Sequence, residues 1–224
     1  MKMTRIPIRP GAAGADFGQV YCGRYDKWKR NGVPGAATAG LNQRYHDEEW
    51  GIPLHDDRRQ FEFLMLEVMQ CGLSWTLMLK KREIFRQCFA GFDYEKISQF
   101  TDSDVVRILN TDGMIRSERK IRAVIRNANR FEDIRREWGS FDRYIWHFTE
   151  GKTYIYPKHH QGFWEAKNEL SDRISADLKK RGLQYVGSVT VFSYLQACGI
   201  INDHAPDCWM YRPLLAQADV MFQD

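Results

Sequence analysis

The chain has 224 residues, with 33 basic against 29 acidic side chains for a formal charge of +4. Apolar residues make up 43% and charged residues 28%, ordinary globular usage that excludes a disordered or fibrous protein. No run of about 18 apolar residues occurs, which excludes a membrane-spanning helix.

Residues 1–20 are rich in Gly, Ala, Pro and Arg without periodicity and are expected to form a mobile N-terminal extension. The opening Met1-Lys2-Met3-Thr4-Arg5 is followed by no apolar signal core, so a cytoplasmic location is expected. Residues 30–41, with their glycines and proline, read as a loop. Helices begin near residue 57. Phe61, Phe63, Leu64, Met65, Leu66, Val68 and Met69 surround a helix on most sides, which predicts deep burial. Gly72 is its stop. Ser74 caps a second helix through Trp75, Leu77, Met78 and Leu79. Thr101-Asp102-Ser103-Asp104 starts another, with carboxylates in the first turn, and Asp112-Gly113 breaks it. Ile121, Val124, Ile125 and Ala128 mark one face of the next. Further helices fit 138–149, 171–181 and 187–199, and residues 213–224 read as a tail. Period-two alternation is nearly absent, so the predicted fold class is all-α.

The cysteines number five, an odd and sparse set that argues for a reducing compartment and against a disulfide framework. Cys71, Cys88 and Cys198 sit in apolar runs and read as inert buried thiols. His204 and Cys208 are four residues apart, and Cys22 and His46 lie early in the chain. Such a set can hold a tetrahedral zinc ion, and four protein ligands would close its shell and make it structural. A surface histidine and unrelated thiols would give the same spacing. His55, His147, His159 and His160 have no companion that suggests catalysis.

Two other patterns carry chemistry. From Asp112 to Arg130 the bases Arg116, Arg119, Lys120, Arg122, Arg126 and Arg130 face only the acids Asp112 and Glu118. A helix start after a glycine turn offers free N–H groups to phosphate, and nearby bases add attraction to a nucleic-acid backbone. A solvated helix face would also look like this. Glu67 lies inside a greasy helix, where a carboxylate is costly unless paired. It either meets a partner within the protein or faces a cavity that takes a ligand, which Trp75 could wall.

Taken in order, these residues resemble the 3-methyladenine DNA glycosylase I family. The resemblance rests on Tyr45-His46-Asp47-Glu48-Glu49-Trp50-Gly51, on Leu66-Glu67 through Gly72-Leu73-Ser74-Trp75, and on Leu79-Lys80-Lys81-Arg82-Glu83. It continues through the Gly113–Ile121 turn, Leu178-Lys179-Lys180-Arg181-Gly182, Gln196-Ala197-Cys198-Gly199 and Asn202-Asp203-His204, covering roughly residues 20–212. It implies a helix-hairpin-helix glycosylase domain over 21–212, with the hairpin near 102–128 and a structural zinc ion joining the N- and C-terminal regions. The zinc ligands would be Cys22, His46, His204 and Cys208. The base-reading carboxylate would be Glu67, and the pocket aromatics Tyr45, Trp50 and Trp75. Gly113, Met114 and Ile115, with Arg116, Arg119 and Lys120, would hold the DNA.

The implied reaction is hydrolysis of an N-glycosidic bond, releasing 3-methyladenine from double-stranded DNA that contains alkylated bases. No lyase lysine and no strand cleavage are implied, and a monomer is expected. Three features depart from the family pattern. Arg24 stands where a stacking tryptophan is usual, Cys22 and His46 are 24 residues apart, and Val68, Met69 and Cys71 replace smaller or amide residues. These bear on substrate range. The alternative is a zinc-stabilised DNA-binding module with altered or lost base specificity.

Overall fold

The computed structural model describes residues 36–160 and 165–223. The expected extension at 1–20, Cys22 and Arg24 lie outside the described residues. Ten α-helices occur among those described, with three short 3-10 turns, and none is long and apolar enough to cross a membrane.

The first, α1, spans Ala36–Glu48, so the expected loop at 30–41 gives way to helix from residue 36. Ala36, Ala37 and Ala39 are strong helix formers, and they outweigh the interior Gly40. Next, α2 spans Asp57–Gln70, with Asp56 accepting a hydrogen bond from the Arg59 N–H at 2.8 Å as N-cap. Every residue from Gln60 to Gln70 is buried, as the all-round apolar pattern predicts. Gly72 then adopts φ +82°, a conformation that favours glycine and ends the helix. The third helix, α3, spans Trp75–Cys88 and is capped by Ser74, whose hydroxyl accepts from the Leu77 N–H at 3.3 Å.

A short α4 (Tyr94–Ile97) leads to α5 (Asp102–Leu109), opened by a reciprocal Thr101–Asp104 capping box. The long α6 spans Glu118–Trp138 and stops at Gly139 in the left-handed region. It is followed by α7 (Phe141–Trp146), α8 (Glu169–Lys180), α9 (Ser188–Ala197) and α10 (Tyr211–Gln217). The centre of the molecule is α2, packed by α3, α6, α7 and α9. Its rings and aliphatic chains fill one continuous core with those of its neighbours.

The fold is helical, but not wholly so. Strands β1 (Thr153–Ile155) and β2 (Val220–Phe222) pair in parallel, with Thr153 opposite Val220. Three residues are too few for alternation to show in a sequence, although both runs are rich in β-branched and aromatic residues. The expected tail at 213–224 is thus helix and strand through residue 222. Tyr154 also bridges to Ile201, which fixes the chain just before Asn202-Asp203-His204.

One close approach organises the region that follows. A Cβ on Gly199 would lie 2.5 Å from Ile52 C and Pro53 N. The absence of that carbon lets the end of α9 lie flat on residues 51–54, where Gly51 N–H donates to Gln196 O (3.1 Å) and Leu54 N–H to Cys198 O (3.1 Å). This seam brings the end of α1 and Trp50 beside the 202–208 segment.

Candidate functional site

Glu67 sits on the buried middle of α2 and is only 5% exposed. Its side chain makes no hydrogen bond or ion pair among the described residues, and burial alone pushes its carboxyl well above the usual carboxylate range. Of the two sequence readings, a structural partner is therefore excluded among the described residues. Tyr45, from α1, is also buried, and its hydroxyl is held well above its ordinary pKa by desolvation first and by the Glu67 charge second. Its ring packs against Trp75 with centroids 5.1 Å apart. Glu67, Tyr45 and Trp75 therefore converge from the three helices α2, α1 and α3. Trp50 packs its ring on His46 (6.0 Å, stacked) and on His204 (4.6 Å, edge-on).

His46, His204 and Cys208 are buried together, their ligand atoms all within 4.8 Å of one another. Cys208 Sγ lies 3.6 Å from His46 Nε2 and 3.4 Å from His204 Nδ1. Tetrahedral zinc with its usual bond lengths sets N and S ligands about 3.6 Å apart, so the donor set fits that ion. The outer nitrogens are engaged as such a site requires. His46 Nδ1 meets Asp47 Oδ1 at 2.8 Å, and His204 Nε2 donates to Trp50 O at 3.0 Å. These partners leave both inner nitrogens their lone pairs toward the sulfur. Gly51 makes room, since a Cβ there would fall 2.9 Å from the His204 ring. The fourth expected ligand, Cys22, lies outside the described residues.

The basic segment forms the turn between α5 and α6. Gly113 has φ +76°, and a Cβ on it would meet Ile84 Cδ1 at 2.8 Å. Met114 N–H donates to Thr111 O (3.1 Å) and Ser117 N–H to Ile115 O (2.9 Å), which closes the turn. Arg116 and Arg119 are exposed and take part in no ion pair among the described residues. Other bases are already engaged. Arg122 pairs with Asp102 and Glu118 (2.7 Å each), Arg126 Nε donates to Gly182 O (3.1 Å), and Arg130 pairs with Asp133 (3.0 Å). Lys120 corrects the expectation most clearly. It is buried, and its Nζ donates to Met69 O and Cys71 O, both at 2.7 Å. Burial lowers its pKa, and its donors point into the protein rather than toward a phosphate.

Sequence reasoning passed over three further groups. Ser193 lies on α9, which packs on α2, and its Oγ is buried without a hydrogen-bond partner among the described residues. Arg82 of α3 is held by Glu62 (2.7 Å) and Glu49 (2.7 Å) and lies 5.3 Å over the Phe63 ring, which packs edge-on to Tyr45. It thus braces the helices that carry Tyr45 and Glu67. His159 does have a companion: its Nδ1 meets Asp203 Oδ1 at 2.9 Å, and Gln196 donates to the other oxygen of Asp203. The pair pins the residue next to His204. A glutamine at the end of an apolar helix and an aspartate before a histidine were the signals available.

Comparisons with known proteins agree with one another. The profile of the methyladenine glycosylase family matches residues 36–211. DNA-3-methyladenine glycosylase 1 of Escherichia coli (strain K12) is 38% identical over 167 residues, covering 75% of this chain and 89% of that protein. The DNA-3-methyladenine glycosylase of Haemophilus influenzae is 36% identical, covering 73% and 89%. A solved 3-methyladenine DNA glycosylase I from Staphylococcus aureus, described for its recognition of 3-methyladenine, superposes with a TM-score of 0.72. It is 33% identical and covers 75% of this chain and 90% of its own.

Proposed function

This chain belongs to the methyladenine glycosylase family, and we propose from that premise that it excises 3-methyladenine from alkylated DNA by hydrolysing the N-glycosidic bond. The observation that carries the reading is the buried carboxyl of Glu67, unpaired among the described residues, beside the Tyr45 and Trp75 rings. Such a group is costly to keep without a partner, and a cationic base supplies that partner.

The chemistry follows from the substrate. The target nucleotide leaves the stack to reach the carboxyl. Methylation at N3 makes the attached adenine cationic. When the bond from the sugar carbon to N9 breaks, its electron pair neutralises the base, which departs as 3-methyladenine. Water adds its oxygen to the sugar carbon and loses a proton to solvent. No proton need be delivered to the base, so Glu67 is a recognition group rather than a general acid. The charge of the incoming base favours ionised Glu67, which then accepts hydrogen bonds from the purine edge. Tyr45 and Trp75, packed against each other, offer an aromatic wall to the base, worth about 0.5–2 kcal/mol per ring for a cation. Neutral adenine gains neither term.

Two supporting elements belong to the same reading. The turn of Gly113, Met114 and Ile115 between α5 and α6 acts as a helix-hairpin-helix that holds the backbone of duplex DNA, with Arg116 and Arg119 as its cations. His46, His204 and Cys208, with Cys22, hold one zinc ion per chain, braced by Trp50. Four protein ligands leave no open position, so the ion ties the two ends of the domain together and takes no part in hydrolysis.

The test is base release from methylated duplex DNA, with freed bases separated chromatographically. Free 3-methyladenine without strand breaks is the expected result. No free base from zinc-loaded protein that binds DNA would overturn the reading and favour the altered-specificity module.

A further inference from the structure

Lys120 stands in the first turn of α6, directly after the turn proposed to hold DNA, yet its ammonium faces the other way. It donates to Met69 O and Cys71 O, each at 2.7 Å. Both acceptors lie at the C-terminal end of α2, where the last carbonyls have no helical donor and the dipole favours a cation. Met69 and Cys71 follow Glu67 by two and four residues, and Trp75 follows Cys71 by four. A single buried side chain therefore connects the DNA-side turn to the stretch of chain that carries both Glu67 and Trp75.

We infer that Lys120 is a positioning residue for base capture: it holds the end of α2, and with it Glu67 and Trp75, in register with the turn that grips the DNA backbone. The inference rests on the glycosylase reading above and adds to it the mechanical link between DNA anchor and base site. The backbone must be gripped at a fixed distance from the carboxyl for the extruded base to arrive in reach. A displacement of about 1 Å in such a constellation costs on the order of 10²-fold in rate.

Lys120→Met removes the ammonium and keeps the stem, and Lys120→Arg keeps a cation with donors. The measurement is single-turnover release of 3-methyladenine from methylated duplex at saturating protein. A salt titration of binding to undamaged duplex accompanies it. Lys120→Met is expected to slow release about 30–100-fold while DNA affinity stays within about twofold, and Lys120→Arg to recover to within about fivefold of the parent. Undiminished release by Lys120→Met overturns the inference. So does a salt slope reduced by about 1 with normal release at saturation, which would make Lys120 a phosphate contact. Arginine no better than methionine would reduce Lys120 to packing. Should the methionine variant fail to fold, Lys120→Gln, which keeps N–H donors without charge, is judged by the same comparison. A parent protein that releases no base overturns the glycosylase reading itself, and that result is visible before any variant is compared.

Discussion

His204 Nδ1 lies 3.4 Å from the Sγ of Cys208, four residues further along the chain. The two atoms converge because the second nitrogen of the same imidazole is held by a backbone carbonyl, so the ring cannot turn away. Protein purified without chelator is expected to contain one zinc ion per chain by elemental analysis. Cys208→Ser should lower that content to near zero. Losing roughly 3 kcal/mol in a domain of this size lowers Tm by about 6–12 °C. An unchanged Tm in metal-free protein would show that the cluster contributes nothing to the fold.

Glu67→Gln should lower 3-methyladenine release at least about 100-fold, a loss of near 2.7 kcal/mol in transition-state stabilisation, while leaving affinity for undamaged DNA unchanged. Normal release by this variant would remove Glu67 from the site.

The same substitution has a signed effect on stability. Burial raises the Glu67 pKa in the folded protein, whereas the unfolded chain titrates near about 4.3. Below that value both states are protonated and the carboxyl is well tolerated. As pH rises toward the folded pKa, the unfolded chain loses its proton first and folding is penalised. Glu67→Gln should therefore gain stability over the parent progressively as pH rises above the unfolded value of about 4.3, as read by urea unfolding. A difference independent of pH would contradict the assigned burial.

Arg116→Ala and Arg119→Ala should each reduce the salt slope of DNA binding by about 1. Arg122→Ala should change it less, since Asp102 and Glu118 already neutralise that guanidinium. Equal effects from all three would show that the ion pairs open when DNA binds.

Gly199→Ala and Gly91→Ala separate steric conflict from backbone strain. Both positions have positive φ, which costs an alanine about 1–2 kcal/mol. At Gly91 nothing lies within 4 Å of the added carbon, while at Gly199 it would meet backbone atoms at 2.5 Å. Gly91→Ala should stay near the strain cost. Gly199→Ala should exceed about 4 kcal/mol, in the range kept for severe core disruption. Similar losses would deny the seam its role.

Most of the helical frame was legible in the sequence because its signals are local. Asp56, Ser74 and the Thr101–Asp104 box announce helix starts, and the all-round apolar stretch of α2 announces burial. Lys120 was misread because a lysine in a basic run looks like its neighbours. The correcting signal lay in spacing: Lys120 precedes Val124 by four residues and Ala128 by eight, on the buried stripe of α6. The whole of α1 was missed, since helices were expected only from about residue 57; the glycines and proline of 30–41 and the many polar residues of 42–49 hid it. The strand pair was hidden because its partners are remote in sequence and only three residues long. Ser193 and Arg82 were missed for a different reason. Their importance lies in what they touch or fail to touch, which no spacing rule records.

The pairing of Thr153 with Val220 also carries a cost in chain entropy. This register joins residues separated by the whole of α8, α9 and α10, so a long loop must close before the pair forms. The packing of α2 on α3, its neighbour in the chain, closes a far shorter loop. A two-stranded ribbon of three residues each is held by few bonds, so hydrogen exchange at Thr153, whose N–H donates to Asp219 O at 2.8 Å, should outpace that of α2.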